Sequence, residues 1–497
     1  MKNKLQRALA SLALCAVLVG SLTVPASAAG FKDVPANHWA ANSIQRCVEN
    51  GFFNGQSETR FGLGQNMSRS AFAVVLCRFF GWETTAPAEQ TYPDVPVDAW
   101  YADAVEAAYR HGAITMQREE FRPNDPITRE ELAVMLVRAL GYGEIAGLAQ
   151  DLPMPFEDVD TNKGYITMAY DLGVVNGTTA TTFSPDRTAS REQVAVMLMR
   201  LYDKLRTVQT EKIGVVTEPA DLSGLDIVAI PAARAFTFGM KDSMEAETAG
   251  AIQAAARESG AKVFLYMTAG ATVLGKEPEE MSVMMADAVK NGGYEGVILD
   301  IPDVTEKKVP ALKELAAQMD RALGTIPFYL VVEGPSRSGK MVGGYDYKTL
   351  AASVDKLVLK IAAVEQVSSD FVVAPVDPLE EVYYAAASVE EQVGAEKLAL
   401  MLDSELRVWE KGSSSALNKA TLQELLAAET TQTYHSDRYG CAYLTGLDSM
   451  NKSVTAWYLT EEDVATRIQL AKGVGITQIC VSDWNAATEA FLAGLNG

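Results

Sequence analysis

The chain has 497 residues, of which 48% are hydrophobic and 22% charged, and its formal net charge is −21. A chain of this length is expected to form more than one domain. Its negative charge argues against nucleic acid or an anionic membrane surface as a partner, because both are bound through clustered positive charge.

The first 28 residues have the pattern of a secretion signal. Basic residues among the first seven precede an apolar run from Ala8 to Val24, and the small residues ASA follow at the cleavage position. No later segment reaches the roughly 20 apolar residues that a membrane span needs. We therefore predict a signal peptide over 1–28 and an exported protein without a membrane span.

Four cysteines follow that segment, namely Cys47, Cys77, Cys441 and Cys480. Their spacing fits neither a disulfide framework nor a zinc knuckle. Either Cys47 and Cys77 form a disulfide, which export would permit, or all four are small buried residues. The chain has only three histidines, too few for a histidine-based metal site, and no metal or cofactor is predicted.

A pattern of about sixty residues then occurs three times. FKDVPANHWA at Phe31, YPDVPVDAWY at Tyr92 and FEDVDTNKGYI at Phe156 each precede an amphipathic helix that a glycine ends. A second helix follows each time, and the arginines at its start are spaced by 60 and 62 residues. TREE and SREQ, at two of these starts, are typical of a capping box. Because two short helices bury little apolar surface alone, the three units are expected to pack together.

These motifs resemble S-layer homology (SLH) repeats over 30–82, 92–142 and 156–202. The (F/Y)-x-D-V opening, the tryptophan and a TRAE-like tetrapeptide recur in register. The resemblance implies an all-α bundle at the cell surface, whose grooves bind secondary cell-wall polysaccharide that often carries pyruvylated sugars. The first repeat departs from the motif with SRSA, and the third has Tyr165 near the place of the tryptophan.

The motif residues suit an acidic sugar. An arginine at a helix start adds its charge to the exposed backbone amides there and is suited to hold a carboxylate, while a tryptophan offers a flat face to a sugar ring. Alternatively, the arginines pair with the aspartates of the F-x-D-V turns. The carbohydrate-binding residues that the resemblance implies are Asp33, Trp39, Arg69, Asp94, Trp100, Arg129, Asp158 and Arg191.

Residues 203–212 are polar and charged and are predicted to be a linker. From 213 to 497, eight β-rich runs alternate with helical patterns, which favours a (β/α)8 barrel of the TIM type. A doubly wound α/β sheet is the alternative. In a barrel, the acids at the strand ends would share one mouth; these acids are Asp300, Glu333, Glu365, Asp403 and Asp483.

The barrel segment resembles glycoside hydrolase family 18, the chitinase-like and spore-cortex-lytic barrels. The resemblance is carried by GYDYKTLAASVDKLVLK, DPLEEVYYAAASVEEQVGAEKLALMLD and VTAWYLTEEDVATRIQLAKGVGITQICV. It implies a barrel that acts on, or binds, a glycan such as chitin or peptidoglycan.

The fourth barrel strand departs from that family at its proton donor. The family motif D-x-x-D-x-D-x-E falls on Glu295, Ile298, Asp300 and Pro302. Family members protonate the glycosidic oxygen with the final glutamate while the substrate's acetamide attacks, and a proline has no proton to give. The sixth strand also lacks the family's Met-x-Tyr-Asp and reads Leu359-Lys360-Ile361-Ala362.

Three interpretations of the barrel remain open. We favour a non-hydrolytic barrel that binds glycan or has a structural part in the envelope; the others are an active glycosidase with a relocated acid, and a spacer whose mouth side chains fill. Asp303, next to Pro302, has the wrong strand parity and should point away unless the strand breaks there. The candidates for a relocated acid are Asp300, Glu333, Asp403 and Glu405.

Overall fold

The computed structural model describes residues 31–85, 91–115, 120–206, 209–337, 344–361, 375–404, 406–410, 413–417, 419–448 and 450–496. The chain divides into two compact units, Met1–Thr207 and Val208–Gly497. The predicted signal peptide lies outside the described residues. Among the helices that are described, none is long and apolar enough to cross a membrane.

The N-terminal unit is helical, with a pair of helices in each repeat and one further helix between the second and third pairs. Gly51, Gly112 and Gly173 follow the first helix of each pair with φ angles of 75°, 73° and 63°, as the predicted helix ends require. The helices are α1 (Ala41–Glu49), α2 (Arg69–Phe80), α3 (Ala102–Arg110), α4 (Arg129–Ala139), α5 (Gly143–Leu148), α6 (Lys163–Asp171) and α7 (Arg191–Arg206).

Three backbone hydrogen bonds join the repeats in a closed ring. The N–H of Met67 donates to the carbonyl of Ala189 (2.9 Å), that of Ala189 to Ile127 (3.0 Å), and that of Ile127 to Met67 (2.8 Å). All three residues are buried, and each stands two positions before the arginine that begins the second helix of its repeat. The ring therefore surrounds a pseudo-threefold axis.

The four cysteines are buried and free. The thiol of Cys47 donates to the carbonyl of Ala195, and that of Cys77 to the carbonyl of Ala104. Burial raises the pKa of both thiols to about 12. Of the two interpretations, small buried residues is therefore the correct one, and a Cys47–Cys77 disulfide is not formed.

In the C-terminal unit, eight parallel strands close into a barrel. The strands are β1 (Glu211–Val215), β2 (Ile227–Phe236), β4 (Lys262–Ala269), β5 (Gly296–Asp300), β6 (Phe328–Glu333), β7 (Lys356–Lys360), β8 (Leu398–Leu402) and β14 (Gln478–Val481). Because β1 pairs with both β2 and β14, the sheet is closed. This confirms the predicted (β/α)8 barrel over the doubly wound sheet. Since α7 reaches Arg206 and β1 begins at Glu211, part of the predicted linker 203–212 lies within these elements.

Helices follow the barrel strands, and apolar side chains fill the interior. Inward residues such as Tyr266, Ile298, Tyr329 and Met401 form one buried cluster, so the barrel is a packed core. The helices are α8 (Ala246–Ser259), α9 (Pro278–Asn291), α10 (Val309–Leu323), α11 (Tyr347–Ala351), α12 (Leu379–Val393), α13 (Lys419–Ala427), α14 (Glu461–Val474) and α15 (Glu489–Gly494).

Two β elements are additional to the predicted ones. Strand β3 (Gly239–Asp242) forms a hairpin with β2. A five-stranded antiparallel sheet lies between β8 and β14 in the chain, and α13 contributes Leu422 and Leu425 to its core. The strands of this inserted sheet are β9 (Leu406–Glu410), β10 (Ser413–Leu417), β11 (Gln432–Ser436), β12 (Cys441–Leu447) and β13 (Ser453–Tyr458). Their order in the sheet is β10-β9-β13-β12-β11.

The packing of α5 on α6 leaves no space for a side chain at Gly164. A Cβ at this position would lie 1.7 Å from the carbonyl oxygen of Ala146. We expect Gly164→Ala to destabilise the N-terminal unit by about 1–3 kcal/mol, the usual cost of overpacking, as measured by thermal unfolding. Gly147→Ala on α5 is the control, because nothing lies within 4 Å of its Cβ. Equal melting temperatures for the two variants would contradict this close contact.

Candidate functional site

The three aspartates of the F-x-D-V openings cap a loop in their own repeat. Each carboxylate accepts backbone N–H bonds of 2.6–3.1 Å. The bond from Phe183 is the largest of the influences that hold the pKa of Asp158 below its ordinary value. These oxygens therefore stabilise the loops. The donors are Phe61, Gly62 and Leu63 for Asp33, Phe121 and Arg122 for Asp94, and Phe183 and Ser184 for Asp158.

The three motif arginines each reach into the next repeat, in cyclic order. Every guanidinium donates from Nε to the carbonyl of a phenylalanine, and it also lies over the ring of that phenylalanine. The N–H of the same phenylalanine donates to the aspartate of its repeat. In all three cases a direct Arg–Asp pair is thus replaced by a link through one peptide group, whose carbonyl accepts from the arginine and whose N–H donates to the aspartate. The Nε–O and Cζ–ring distances are 2.8 and 5.0 Å for Arg69 with Phe121, 2.9 and 4.5 Å for Arg129 with Phe183, and 2.9 and 4.8 Å for Arg191 with Phe61.

The three guanidinium groups differ in their charged neighbours. Nη1 of Arg69 lies 2.9 Å from Oε1 of Glu131. Arg129 and Arg191 instead donate Nη2 to backbone carbonyls, at 2.6 and 2.9 Å. Arg129 is only 5% exposed, and burial lowers the pKa of both Arg129 and Arg191. An anion would therefore stabilise these two cations more than it would stabilise Arg69.

Two of the repeats present a tryptophan to solvent. Trp39 is 63% and Trp100 71% exposed, and both stand eight residues after the aromatic residue of the F-x-D-V opening. In the third repeat that position is Gly164, which α5 covers. Tyr165 does not replace the tryptophan, because its hydroxyl donates to the carbonyl of Gly143 at 3.1 Å and Arg138 lies over its ring.

At the barrel mouth, strand parity aligns a set of inward polar residues. Ile298 on β5 and Val331 on β6 are buried inside the barrel. Asp300 and Glu333 lie two residues further along these strands, so their side chains point to the same inner face. The predicted Asp403 has the same parity as Met401. The inward polar residues at the strand ends include Thr217, Thr268, Asp300, Glu333, Lys360, Asp403 and Ser482.

Asp300 and Glu333 lie in different surroundings. The hydroxyl of Tyr266 donates to Asp300 Oδ2 at 2.7 Å. Oε2 of Glu333 is buried, and none of the described residues bonds to it. Burial raises the pKa of Glu333; Lys360 opposes the rise, whereas Asp303 and Asp300 add to it. A carboxyl in such surroundings retains its proton to higher pH, as a general acid must.

The fourth strand breaks before the position of the missing acid. Strand β5 ends at Asp300, and Asp303 has a positive φ of 59°. Because the strand ends before Asp303, strand parity no longer directs this side chain away from the mouth. Its charge contributes to the raised pKa of Glu333, so Asp303 lies near the mouth although its parity in a continuous strand would direct it outward.

Asp377 is a second perturbed carboxyl, and it was not among the predicted site residues. It is 8% exposed, and its Oδ2 accepts the N–H of Asp403 at 2.6 Å. Burial and the charge of Asp403 raise the pKa of Asp377 to about 7. The fully buried Arg467 donates to its backbone carbonyl. In the sequence, Asp377 entered only as part of the segment DPLEEVYYAAASVEEQVGAEKLALMLD that carries the family resemblance, and no local pattern marks its burial.

The remaining acids that the sequence singled out are Asp483, Glu365 and Glu405. Asp483 follows the end of β14, and its Oδ1 accepts the N–H groups of Asn485 and Ala486 in the turn there, so its carboxylate stabilises this turn. Glu365 and the candidate acid Glu405 lie outside the described residues.

The β2–β3 hairpin carries an exposed aromatic pair at the mouth end of β2. The rings of Phe236 and Phe238 are stacked with centroids 5.2 Å apart, and Phe238 is 72% exposed. Nζ of Lys241 lies 5.5 and 5.4 Å from the two ring centroids, and the guanidinium of Arg234 lies 5.4 Å from that of Phe236. This hairpin combines ring faces with positive charge in an acidic protein.

Comparison with known proteins distinguishes the two units. The S-layer homology domain family matches residues 30–73, 91–133 and 155–195. The chain is 30% identical over 254 residues to an endoglucanase of Bacillus sp. (strain KSM-635), which covers 46% of this chain and 26% of that protein. It is 27% identical over 190 residues to an S-layer protein of Bacillus thuringiensis subsp. finitimus, with 38% and 23% covered. The chain spans about a quarter of the length of these two relatives.

The barrel resembles a solved chitinase in its fold. The crystal structure of chitinase from Chromobacterium violaceum ATCC 12472 aligns with a TM-score of 0.52 and 14% identity, over 57% of this chain and 98% of that chain. The chain thus contains three S-layer homology repeats followed by a chitinase-like TIM barrel, and both predictions are confirmed. The repeats indicate a cell-surface location.

Asp377 is expected to make the stability of the barrel depend on pH. Its pKa is raised from 3.8 to about 7, so the folded state favours the protonated form. The resulting stabilisation is complete below about pH 4 and is lost as the pH rises towards 7. In the variant Asp377→Asn, the amide oxygen can still accept the Asp403 N–H but the side chain does not titrate. Compared with this variant, the free energy of unfolding of the unaltered barrel should fall by up to roughly 4 kcal/mol across this pH range.

Urea unfolding of the full chain between pH 4 and 8, with barrel peptides followed by hydrogen exchange, measures this difference. Asp287→Asn, on the exposed side of α9, is the control for loss of a surface carboxylate. Parallel pH profiles for Asp377→Asn and the unaltered chain would contradict the assignment.

Proposed function

We propose that this protein is held non-covalently at the cell surface by secondary cell-wall polysaccharide, through acidic groups such as pyruvylated sugars, and that its barrel is a non-hydrolytic module that binds glycan or has a structural part in the envelope. The anchoring function is supported above all by the cyclic placement of Arg69, Arg129 and Arg191 at helix starts between repeats.

Each arginine borders the F-x-D-V loop of the following repeat. Glu130, next to Arg129, accepts hydrogen bonds from Thr161 and Asn162 of that loop in the third repeat, at 2.7 and 2.5 Å. Asp33 lies in the first-repeat loop that carries Trp39, and its negative charge favours the charged form of Arg191. Arg191 therefore lies close to that loop. By the pseudo-threefold relation, three grooves result.

We name these grooves by the repeats that form them. Groove 1–2 contains Arg69 and Trp100, groove 2–3 contains Arg129 and Gly164, and groove 3–1 contains Arg191 and Trp39. A guanidinium beside a tryptophan suits a sugar that carries a carboxylate, because the cation takes the carboxylate and the ring takes the apolar face of the sugar.

The non-hydrolytic interpretation of the barrel is supported by Pro302. This residue replaces the proton donor, and the strand has already ended at Asp300, so the peptide there no longer directs a side chain to the glycosidic oxygen. Loss of a general acid costs about 10²- to 10⁴-fold in rate. The exposed Phe236–Phe238 pair, by contrast, suits retention of a sugar chain by stacking.

A second candidate function is an active glycosidase with a relocated acid, and one observation favours it. Glu333 combines a buried, unbonded carboxylate oxygen with a raised pKa, and Asp303 and Asp300 lie close enough to influence it. In this version Glu333 donates the proton that the family's missing glutamate would donate.

For the anchoring function, we expect the full chain to sediment with isolated cell walls of its source. Walls stripped of secondary polysaccharide should retain at least about ten-fold less protein, and added salt should weaken retention because the contact is ionic. Walls extracted only with detergent are the control. Equal retention by stripped walls would contradict the proposal.

For the barrel, we expect no release of product from chitin oligomers or peptidoglycan fragments by the full chain, as followed by chromatography. Release would refute the non-hydrolytic function. In that case Glu333→Gln should lower the rate by about 10²-fold or more if Glu333 is the acid, whereas Glu314→Gln, on the exposed side of α10, should leave it unchanged. Undiminished release by Glu333→Gln would exclude the relocated-acid version at that residue.

A further inference from the structure

The inserted sheet ends in a strand whose outer edge is open. Strand β11 is the last strand of the sheet and pairs with β12 on its inner side. In an antiparallel pair, every second residue of an edge strand bonds to its neighbour through N–H and C=O, and the residues between point outward. Among the described residues, none forms a backbone hydrogen bond with the outward groups of residues 432–435. The edge therefore presents a line of unused donors and acceptors.

Strand β11 has none of the features that usually protect an open edge. Its sequence QTYHS contains no proline, lysine or carboxylate, whereas soluble proteins block such edges with charges, proline, bulges or a covering segment. Residues 432–435 are exposed. The strand pairs with β12 in an unbroken register of five residues, so no bulge turns it away. The edge is thus open to a further strand.

Side chains on both faces of β11 hold this edge in place. On one face, the ring of Tyr434 is stacked on that of Tyr443 with centroids 5.0 Å apart, and Tyr443 lies 4.6 Å from the ring of Trp457. On the other face, Nε2 of His435 lies 2.8 Å from Oδ1 of Asp463 at the start of α14. Because the strand is already ordered, a second strand that adds to it costs little conformational entropy on this side.

The charge of the strand favours a second copy of this chain as the partner. A net charge of −21 opposes contact between two copies, but β11 has no acid, so two copies can meet along this strand. The middle residue of the five is Tyr434. Two antiparallel copies that pair over their whole length therefore place Tyr434 opposite itself, Thr433 opposite His435 and Gln432 opposite Ser436. No like charges face each other in this register.

The aromatic row of the sheet also continues across such a pair. Tyr434, Tyr443 and Trp457 are neighbours across β11, β12 and β13, and Tyr434, at the edge, is 44% exposed. In the paired arrangement the same ring of the second copy lies opposite, and aromatic cross-strand pairs stabilise sheets. Just beyond the strand, Asp437 comes opposite Thr431 of the other copy, not opposite an acid.

We infer that β11 is an interface between two copies of this chain, which pair in antiparallel fashion with Tyr434 opposite Tyr434 and so join their inserted sheets. Because both copies use the same strand, the contact is isologous and closes at a dimer. Five residues a side are fewer than the roughly 20–30 of a stable interface, so the dimer is weak in solution. The cell-surface location that the repeats indicate raises the effective concentration and favours pairing.

Cysteine variants test the register, in the chain without its predicted signal peptide and therefore without Cys15. Residue 432 of one copy stands opposite residue 436 of the other, at a Cα separation that a disulfide can span. A mixture of Gln432→Cys and Ser436→Cys chains should therefore form a covalent dimer under mild oxidation. Either variant alone should form none, because its own cysteines would stand four residues apart, about 13 Å. The other cysteines are buried.

Sedimentation of the same chain measures the strength of pairing. We expect a concentration-dependent equilibrium between monomer and dimer. Tyr434→Glu should weaken it about ten-fold or more, because two carboxylates would then face each other across the twofold axis. Gln423→Glu, on the exposed side of α13, adds the same charge away from the edge and should change the dimerisation constant by less than about two-fold. Thermal unfolding of both variants checks that the fold is kept.

Three results would overturn this inference. The first is a chain that stays monomeric in sedimentation and forms no covalent dimer in the cysteine mixture. The second is a disulfide in Ser436→Cys alone, which would indicate another register. The third is equal weakening by Tyr434→Glu and Gln423→Glu, which would place the contact on another surface. Wall binding is a separate property, and its failure would leave this inference standing.

Discussion

Closed rings of backbone hydrogen bonds determine which side chains meet in each unit of this protein. In the N-terminal unit the ring has three members, Met67, Ile127 and Ala189, and it places every motif arginine against the following repeat. In the barrel the ring has eight strands, and its parity brings the polar strand ends to one mouth. The chemistry of both sites follows from these two closures, because residues far apart in sequence come into contact only through them.

At the barrel mouth, the end of β5 departs from the family motif in both its residues and its backbone. The extended strand ends at Asp300, Pro302 takes the place of the acid, and Asp303 has a conformation that a continuous strand would not allow. The acidic character has not disappeared, since Glu333 and Asp377 on other segments have raised pKa values. The mouth thus retains carboxyl groups that hold protons, but on other segments than the strand that carries the family motif.

Local patterns in the sequence predicted most of the architecture. The capping box at Thr128 and Glu131, the three terminal glycines and the eight barrel runs are short-range features, and the structure has all of them. The inserted sheet was missed because strands such as SSSAL have too few apolar residues to show alternation. The Arg69–Glu131 pair, the contact of Gly164 with α5 and the burial of Asp377 depend on packing between distant segments, which spacing alone does not reveal.

The closed arrangement of three repeats also has a consequence for how such a unit is inherited and trimmed. An open stack of repeats needs terminal repeats with polar outer faces and can gain or lose a member at either end. A ring has no ends to protect, but it tolerates no other count: without the third repeat, the N–H of Met67 and the carbonyl of Ile127 would lose their partners in the buried centre. Duplication or deletion of one repeat is therefore costly, and the unit is expected to pass between proteins as an indivisible set of three, whatever domain follows it.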